Sequence, residues 1–497
     1  MNANDFGALI QACQGIRFIP EILEKRVRMT FIRTLQNIIS NKTCEDLWKK
    51  MFLLPTVLLV YNSQDAKSIK MNMEKRLTVL ESGAEWTFTL KDFIQTRRRL
   101  VVHDTDDEAQ LGLQAERRGR QVSGAMRVGN LSKAYATLIS DSGAAPLDQV
   151  SKVLHEKNPA PSPEVQATIT PELWDRINSV KLSGDERVKF STESLQSIKK
   201  KKKGVSHGFD MLTWEIIQQL VGREPDQSSD QVEFTQLLAK VLSLIANGDM
   251  PDVVAPSLRD NHIMGVGVKV RPVLLCNTLR KLVTGLLLDS TREKVAVMFD
   301  GIQYSSMRNG VEHVIHSLRA HMDTSDDDLF LADAVNAFNI SNRTMGLGHL
   351  VDHFPSLVPM MRQMYGSNAT LWLRGLDQVI EQISMQTGWQ QGDVAGTFLY
   401  CVTTLPFHKG MQNLVSSHNG KVFAFVDDTK VKAPFRRMCE TIRYMDTEGL
   451  KYGYQRHRAK GTYLLGRCRS LAEAKSRKEF LVEEFGIIGS DPNSNPP

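Results

Sequence analysis

Cysteine is scarce: six in 497 residues, Cys13, Cys44, Cys276, Cys401, Cys439 and Cys468, with no Cys-x-x-Cys pair. That pattern encodes neither a zinc knuckle nor a disulfide scaffold. Long apolar runs are missing too. The most apolar stretch, Met51 to Val60, is interrupted by Pro55 and is too short to cross a bilayer as a helix. The first residues, Met1-Asn-Ala-Asn-Asp-Phe-Gly, lack the basic start and apolar core of a secretory signal. These absences predict an intracellular, reducing compartment without membrane attachment, nucleus and cytoplasm both remaining open. His313, His316 and His321 share one helical segment but have no Glu at zincin spacing, so no zinc site is read there.

Nor is there a strong charge imbalance. Lys+Arg total 62 and Asp+Glu 56, a net +6 that names no partner by itself. The basic residues are clustered, however, at Arg97 to Arg99, Arg117 to Arg120, Lys199 to Lys203, Arg436-Arg437 and Arg456 to Lys460. Any one such run reads equally as a solvated face. Together they favour a polyanion, whose binding would be salt-dependent. The lysine run also suits a nuclear address. With 41% hydrophobic and 24% charged residues, the chain has core enough for two or more globular domains.

The chemistry-bearing stretch is Lys421-Val-Phe-Ala-Phe-Val-Asp427-Asp428-Thr-Lys-Val431. An apolar, aromatic run leads into paired aspartates and then a second short extended segment, which predicts a tight hairpin with two carboxylates at its tip. Adjacent carboxylates raise one another's pKa and call for a cation, although a solvated Asp-Asp turn is the simpler alternative. A second strand, Phe330-Leu-Ala-Asp333, also ends on a carboxylate, before Ala-Val-Asn-Ala-Phe338-Asn. Three such oxygen donors suit two magnesium ions, which take few carboxylates and the phosphates of a substrate. Between them, Gly388-Trp-Gln-Gln391-Gly392-Asp393 is a glycine-punctuated turn that lets another backbone come close.

In this order, Asp333-x-x-Asn-Ala-Phe338-Asn, Gln391-Gly392-Asp393 and Phe425-Val-Asp427-Asp428 resemble the palm motifs of reverse transcriptases of the non-long-terminal-repeat retrotransposon type. Val394 and Ala395 depart from the Pro and Leu usual in that family. The resemblance implies an α+β right-hand polymerase with fingers and palm, a helical N-terminal extension and no evident thumb. It implies RNA-directed DNA synthesis from dNTPs on an RNA template, extending a DNA or RNA primer. Two Mg2+ ions, or Mn2+, would be held by Asp333, Asp427 and Asp428. Gln391 and Gly392 would line the nucleotide pocket, and Phe338 would gate against a 2′ hydroxyl. Arg271, in Val270-Arg271-Pro272-Val273, resembles the fingers arginine that faces the triphosphate; the family's preceding lysine is absent, Gly265 stands near its place, and Lys269 is its candidate substitute. Lys460 resembles the lysine that protonates the leaving pyrophosphate, although the segment from Tyr454 to Arg458 is inserted or diverged.

Residues 1–157 then form a helical and basic extension, in which two helices are expected before Pro55. Asn158-Pro-Ala-Pro-Ser-Pro163 opens a proline-rich linker, 158–170. Fingers are expected over 171–300 and palm over 301–490, with Phe485-Gly-Ile-Ile-Gly489 resembling a primer-contacting hairpin and 491–497 a disordered tail. The acidic stretch Asp323 to Asp328 is read as solvated. No endonuclease or RNase H segment is found, so a separate endonuclease is expected. Two alternatives stand beside this reading: a catalytically degenerate nucleic-acid-binding protein that keeps the fold, and a polymerase without RNA specificity.

Overall fold

The computed structural model describes residues 14–61, 66–83, 147–201, 204–222, 227–266, 270–324, 326–374 and 379–487, with the isolated positions 123 and 126. In chain order its principal helices are α1 (Glu21–Ser40), α2 (Glu45–Leu59), α3 (Ala66–Glu81), α4 (Leu147–Lys157), α5 (Pro171–Ser179), α6 (Trp214–Val221), α7 (Ser229–Ala246) and α8 (Thr278–Phe299). They continue with α9 (Gly310–Thr324), α10 (Arg343–His353), α11 (Val358–Tyr365), α12 (Gly396–Ser416), α13 (Phe435–Thr447) and α14 (Leu471–Phe485). Apart from a two-residue pair, Gln14–Gly15 with Val60–Tyr61, the strands are β1 (Asn261–Val266), β2 (Arg271–Leu275), β3 (Asp328–Ala332), β4 (Ala369–Arg374), β5 (Val379–Met385), β6 (Lys421–Phe425), β7 (Asp428–Ala433) and β8 (Thr462–Leu464). Helices and sheets are mixed, an α+β architecture. No helix among the described residues is long and apolar enough to cross a membrane.

Helix starts follow their capping chemistry. Thr170 accepts from the Leu173 amide ahead of Pro171, Thr213 from Ile216, and Ser470 from Glu473, each satisfying an amide that has no partner in the first turn. The apolar faces so oriented meet in one core. Leu23, Val27 and Phe31 of α1 and Trp48 and Leu58 of α2 join Leu238 and Leu242 of α7, and the same cluster runs on to Leu399 of α12 and Phe485 of α14.

Two four-stranded sheets frame the site. The first has the order β8-β3-β7-β6, antiparallel throughout. Its central strand β3 is buried at Asp328, Leu329, Phe330 and Ala332, as expected of a strand covered on both sides. The second has the order β2-β1-β4-β5, in which β1 and β4 run parallel. It unites strands from residues expected as fingers with strands from residues expected as palm. Helix α4 covers it, Val150 and Leu154 packing with Ile263, Leu274 and Leu371.

Three expectations are corrected. Pro55 does not end α2 but lies buried inside it. An interior proline costs a helix about 3 kcal/mol, here offset by the burial of Leu54, Val57, Leu58 and Leu59. Residues 158–170 are not an extended linker. Asn158 is buried, Ser162 caps a single turn over Pro163–Gln166, and Thr168 accepts a hydrogen bond from Asn342 at 2.6 Å. Finally, Asp328 is not solvated: it is fully buried, with Tyr463 and the Gly466 amide donating to it at 2.6 and 2.7 Å.

Candidate active site

Strand β6 turns into β7 through two residues, Val426 and Asp427, so that Phe425 pairs with Asp428. The expected hairpin is therefore present, with both carboxylates at its tip. Val426 has φ +56°, a left-handed conformation that a β-branched residue adopts only under strain. A buried glutamine holds it there. Gln303 Oε1 accepts from the Val426 amide at 2.9 Å and its Nε2 donates to the Val426 carbonyl at 3.3 Å. The same segment runs along the free edge of β6, where Tyr304 donates to Ala424 and Ala424 to Ile302, both at 2.8 Å. Sequence reasoning missed Gln303, whose partner lies more than a hundred positions away and leaves no periodic trace.

Because β3 pairs with β7 through Ala332 and Thr429, the next residue, Asp333, emerges beside the hairpin tip. Asp427 is half-buried. Burial pushes its carboxyl above the usual range, and the negative charges of Asp428 and Asp333 push it further. Residues 455 to 457 continue the sheet beyond Asp333. Gln455 accepts from Val335 and His457 donates to the Asp333 carbonyl, both at 2.8 Å. This diverged segment delivers Lys460, whose ammonium lies 3.0 Å from Asp333 Oδ2. Lys430 stands 3.9 Å from the exposed Asp428. Among the described residues no group of three His, Cys, Asp or Glu side chains is gathered tightly enough to hold a metal ion on its own.

The Gln391-Gly392 turn lies against β2, the strand that begins with Arg271. The Gln391 carbonyl accepts from the Leu274 amide at 2.8 Å. Gly392 has φ +105°, and a Cβ there would stand 2.6 Å from the Leu274 carbonyl oxygen, so glycine alone fits. Arg271 itself is exposed. Phe338 is half-buried, with its ring stacked on Tyr400 at 5.3 Å and 23°. Asp427 and Asp428 in turn contribute to raising the Tyr400 hydroxyl, after burial itself, so the stack borders the carboxylates. Lys269, the candidate substitute for the missing lysine, lies outside the described residues.

Asp393 has a different role from the other motif carboxylates. It is buried, 2.5 Å from Arg280 of α8, and also accepts from the Tyr365 hydroxyl. The basic runs divide in the same way. Arg456 is buried in a two-point pair with Asp446, at 2.9 and 2.7 Å, and donates to the Phe485 carbonyl. Arg436 and Arg437 both face Glu440. Lys201 lies over the Trp214 ring at 5.6 Å. These are scaffold contacts. Arg97 to Arg99, Arg117 to Arg120, Lys202, Lys203 and Gly489 lie outside the described residues. His313 stacks on Tyr304 at 5.3 Å on the exposed side of α9.

No family model matches this chain, and no curated protein matches it. Among solved structures it is similar to apo telomerase from Candida tropicalis truncated from its C-terminal domain, at 11% identity and a TM-score of 0.33. The match covers 44% of this chain and 52% of that one, so this chain spans about half the length of that structure.

Proposed function

We propose that this chain is an RNA-directed DNA polymerase of the retrotransposon reverse transcriptase type, extending a DNA or RNA primer on an RNA template from dNTPs. The observation that carries the reading is the hairpin tip: β6 and β7 place Asp427 and Asp428 in one turn, and β3 brings Asp333 beside it, with Asp427 half-buried and its carboxyl above the usual range. Negative charge gathered in this way is stabilised by a cation. The donor set is entirely hard carboxylate oxygen, which fits magnesium or manganese, and magnesium completes its shell with water and substrate phosphates rather than a closed protein cage. Asp333, Asp427 and Asp428 would hold two such ions, whose chemistry is to neutralise the triphosphate and activate the primer hydroxyl.

The chain's own residues supply the remainder. Arg271, exposed at the head of β2, would bind triphosphate oxygens. Gln391 and Gly392, packed against β2, would line the nucleotide pocket, and Phe338 on its Tyr400 stack would take the sugar position. Lys460 lies close enough to Asp333 to pass from the carboxylate to the departing pyrophosphate and protonate it. A separate endonuclease would prepare the primer.

One observation favours a second reading, a non-catalytic nucleic-acid-binding protein: Lys460 already neutralises Asp333 at 3.0 Å. Primer extension on matched RNA and DNA templates, with magnesium or manganese, decides between them. The wild-type protein should incorporate dNTPs on RNA, and Asp427→Asn should lose incorporation by on the order of 10³-fold, the scale of removing one key electrostatic group. Absence of wild-type incorporation on every template, or equal incorporation by Asp427→Asn, overturns the polymerase reading.

A further inference from the structure

The Asp333 loop and the Arg271 strand come from different sheets, and one residue touches both. Lys157, the last residue of α4, donates from Nζ to the carbonyl of Val270 at 2.9 Å, one residue before Arg271. Its own carbonyl accepts from Asn336 Nδ2 at 2.8 Å, three residues after Asp333. Next to it, Asn158 Oδ1 accepts from Asn339 Nδ2 at 2.9 Å, deep in the protein. Both places that receive Lys157 have left-handed backbone, Val270 at φ +43° and Asn336 at φ +48°. A β-branched residue such as Val270 takes this conformation only where the surroundings impose it, most often at functional sites.

Helix α4 also occupies the space where a longer side chain on β1 would stand. A Cβ on Gly265 would meet Val150 of α4 at 2.7 Å and Val270 at 2.8 Å. The helix that closes this position is the one that carries Lys157 to Val270 and Asn336.

We propose that Lys157 is a triphosphate-binding residue, acting with Arg271 and Lys460 as one of three cations around the carboxylates. This rests on the polymerase reading above and adds to it a residue from outside every motif. Lys460 is already paired with Asp333 at 3.0 Å, and an anion shared among the three cations relieves the repulsion that remains between them. Consistent with that, the Lys157 ammonium is pushed below its ordinary pKa, by burial first and then by the positive charges of Arg271 and Lys460. A magnesium-bound triphosphate retains negative charge, and its oxygens accept charge-assisted hydrogen bonds from such donors.

A purely structural Lys157 would tie α4 to β2 and to the Asp333 loop without touching substrate, and the two roles separate experimentally. In steady-state extension, Lys157→Gln should raise KM for dNTP roughly tenfold or more, the scale of one charge-assisted hydrogen bond, while affinity for template-primer is unchanged. Lys157→Arg should restore most of the KM, and melting temperatures of both variants show whether the fold holds. A KM within about twofold of wild type for folded Lys157→Gln overturns the proposal. The second measurement needs no variant. Lysines of the wild-type protein are labelled with an amine-reactive reagent, with and without magnesium dGTP or magnesium tripolyphosphate, and read by mass spectrometry. Protection of Lys157 supports the proposal; equal labelling overturns it. If the wild-type protein extends no primer, the polymerase reading fails alone, and protection of Lys157 still decides whether it binds triphosphate.

Discussion

Asp393 and Asp427 belong to neighbouring motifs and both are withdrawn from water, yet their surroundings differ in kind. Asp393 is enclosed with Arg280, the Tyr365 hydroxyl and the Ala395 amide, and Arg280 in turn donates to the carbonyls of Leu258 and Arg259. Its charge is balanced and its lone pairs are used. Asp427 is raised by burial and by the charges of Asp428 and Asp333, which a backbone hydrogen bond and Lys430 only partly oppose. A saturated carboxylate joins elements of the scaffold, here α8, α11 and the Gln391-Gly392 turn. A carboxylate set among its own kind is poised for a positive ligand. Motif membership does not distinguish these two roles; partner chemistry does.

The comparison is broken most directly by removing one partner from each side. Arg280→Met leaves Asp393 buried without its counter-charge and should destabilise the protein by roughly 3–5 kcal/mol. Asp427→Asn removes a repulsion and should leave the melting temperature at or slightly above wild type while extension is lost. Thermal denaturation of the two variants side by side is the measurement. If Asp427→Asn melts as low as Arg280→Met, Asp427 is scaffold as well, and the distinction fails.

A third carboxylate sharpens it. Asp210 is fully buried at the N-terminus of α8, where Oδ2 accepts from the Leu279 amide at 3.0 Å. Oδ1 has no hydrogen-bond partner. Burial pushes its pKa from 3.8 up to about 6, the α8 amides only partly opposing this. Between these values the folded protein holds a proton that the unfolded chain has released. Asp210 therefore contributes stability that falls as pH rises through this window, by roughly 3 kcal/mol in all, and is level above it. His408 acts in the opposite sense. Burial pushes its imidazole from 6.5 down to about 3, so the unfolded chain takes up the proton first and stability rises with pH between those values. The two contributions offset each other in the wild type. Replacing Asp210 by Asn should unmask the histidine slope, giving stability that climbs from pH 4 to 6 in denaturant titrations. A variant whose curve parallels the wild type would show that Asp210 is ionised throughout.

How much of this was legible depends on whether the partner was local. The hairpin at Asp427-Asp428 and the strand ending at Asp333 follow from apolar runs that stop at carboxylates, and Gly392 from a turn residue where backbones meet. Gln303 and Lys157 were not legible, because each acts through hydrogen bonds to backbone far along the chain, which leaves no spacing to read. The same cause misled at residues 158–170: three prolines suggest an extended path, but the buried amides of Asn158, Asn339 and Asn342 pin it in place. Asp393 carried no role in the sequence reading, because its partner Arg280, from α8, lies more than a hundred positions away.

Phe338 yields the smallest expected change and divides sugar selection from packing. Its ring is only half-buried, and its identified aromatic partner is Tyr400, stacked at 5.3 Å. The backbone around it is held independently, the Trp389 amide donating to the Phe338 carbonyl at 2.6 Å, so truncating the ring leaves the turn in place. Loss of the stack should then cost about 0.5–1.5 kcal/mol in addition to the partial burial of the ring. A buried anchor would instead cost about 3–5 kcal/mol. If the ring meets the sugar of the incoming nucleotide, Phe338→Ala opens space for a 2′ hydroxyl, and ribonucleotides should enter while dNTP incorporation changes little. Comparing rNTP with dNTP incorporation by this variant, together with its melting temperature, measures both effects. A variant that loses several kcal/mol and still rejects ribonucleotides would make Phe338 a core residue, and the sugar would have to be selected elsewhere on the Tyr400 side of the site.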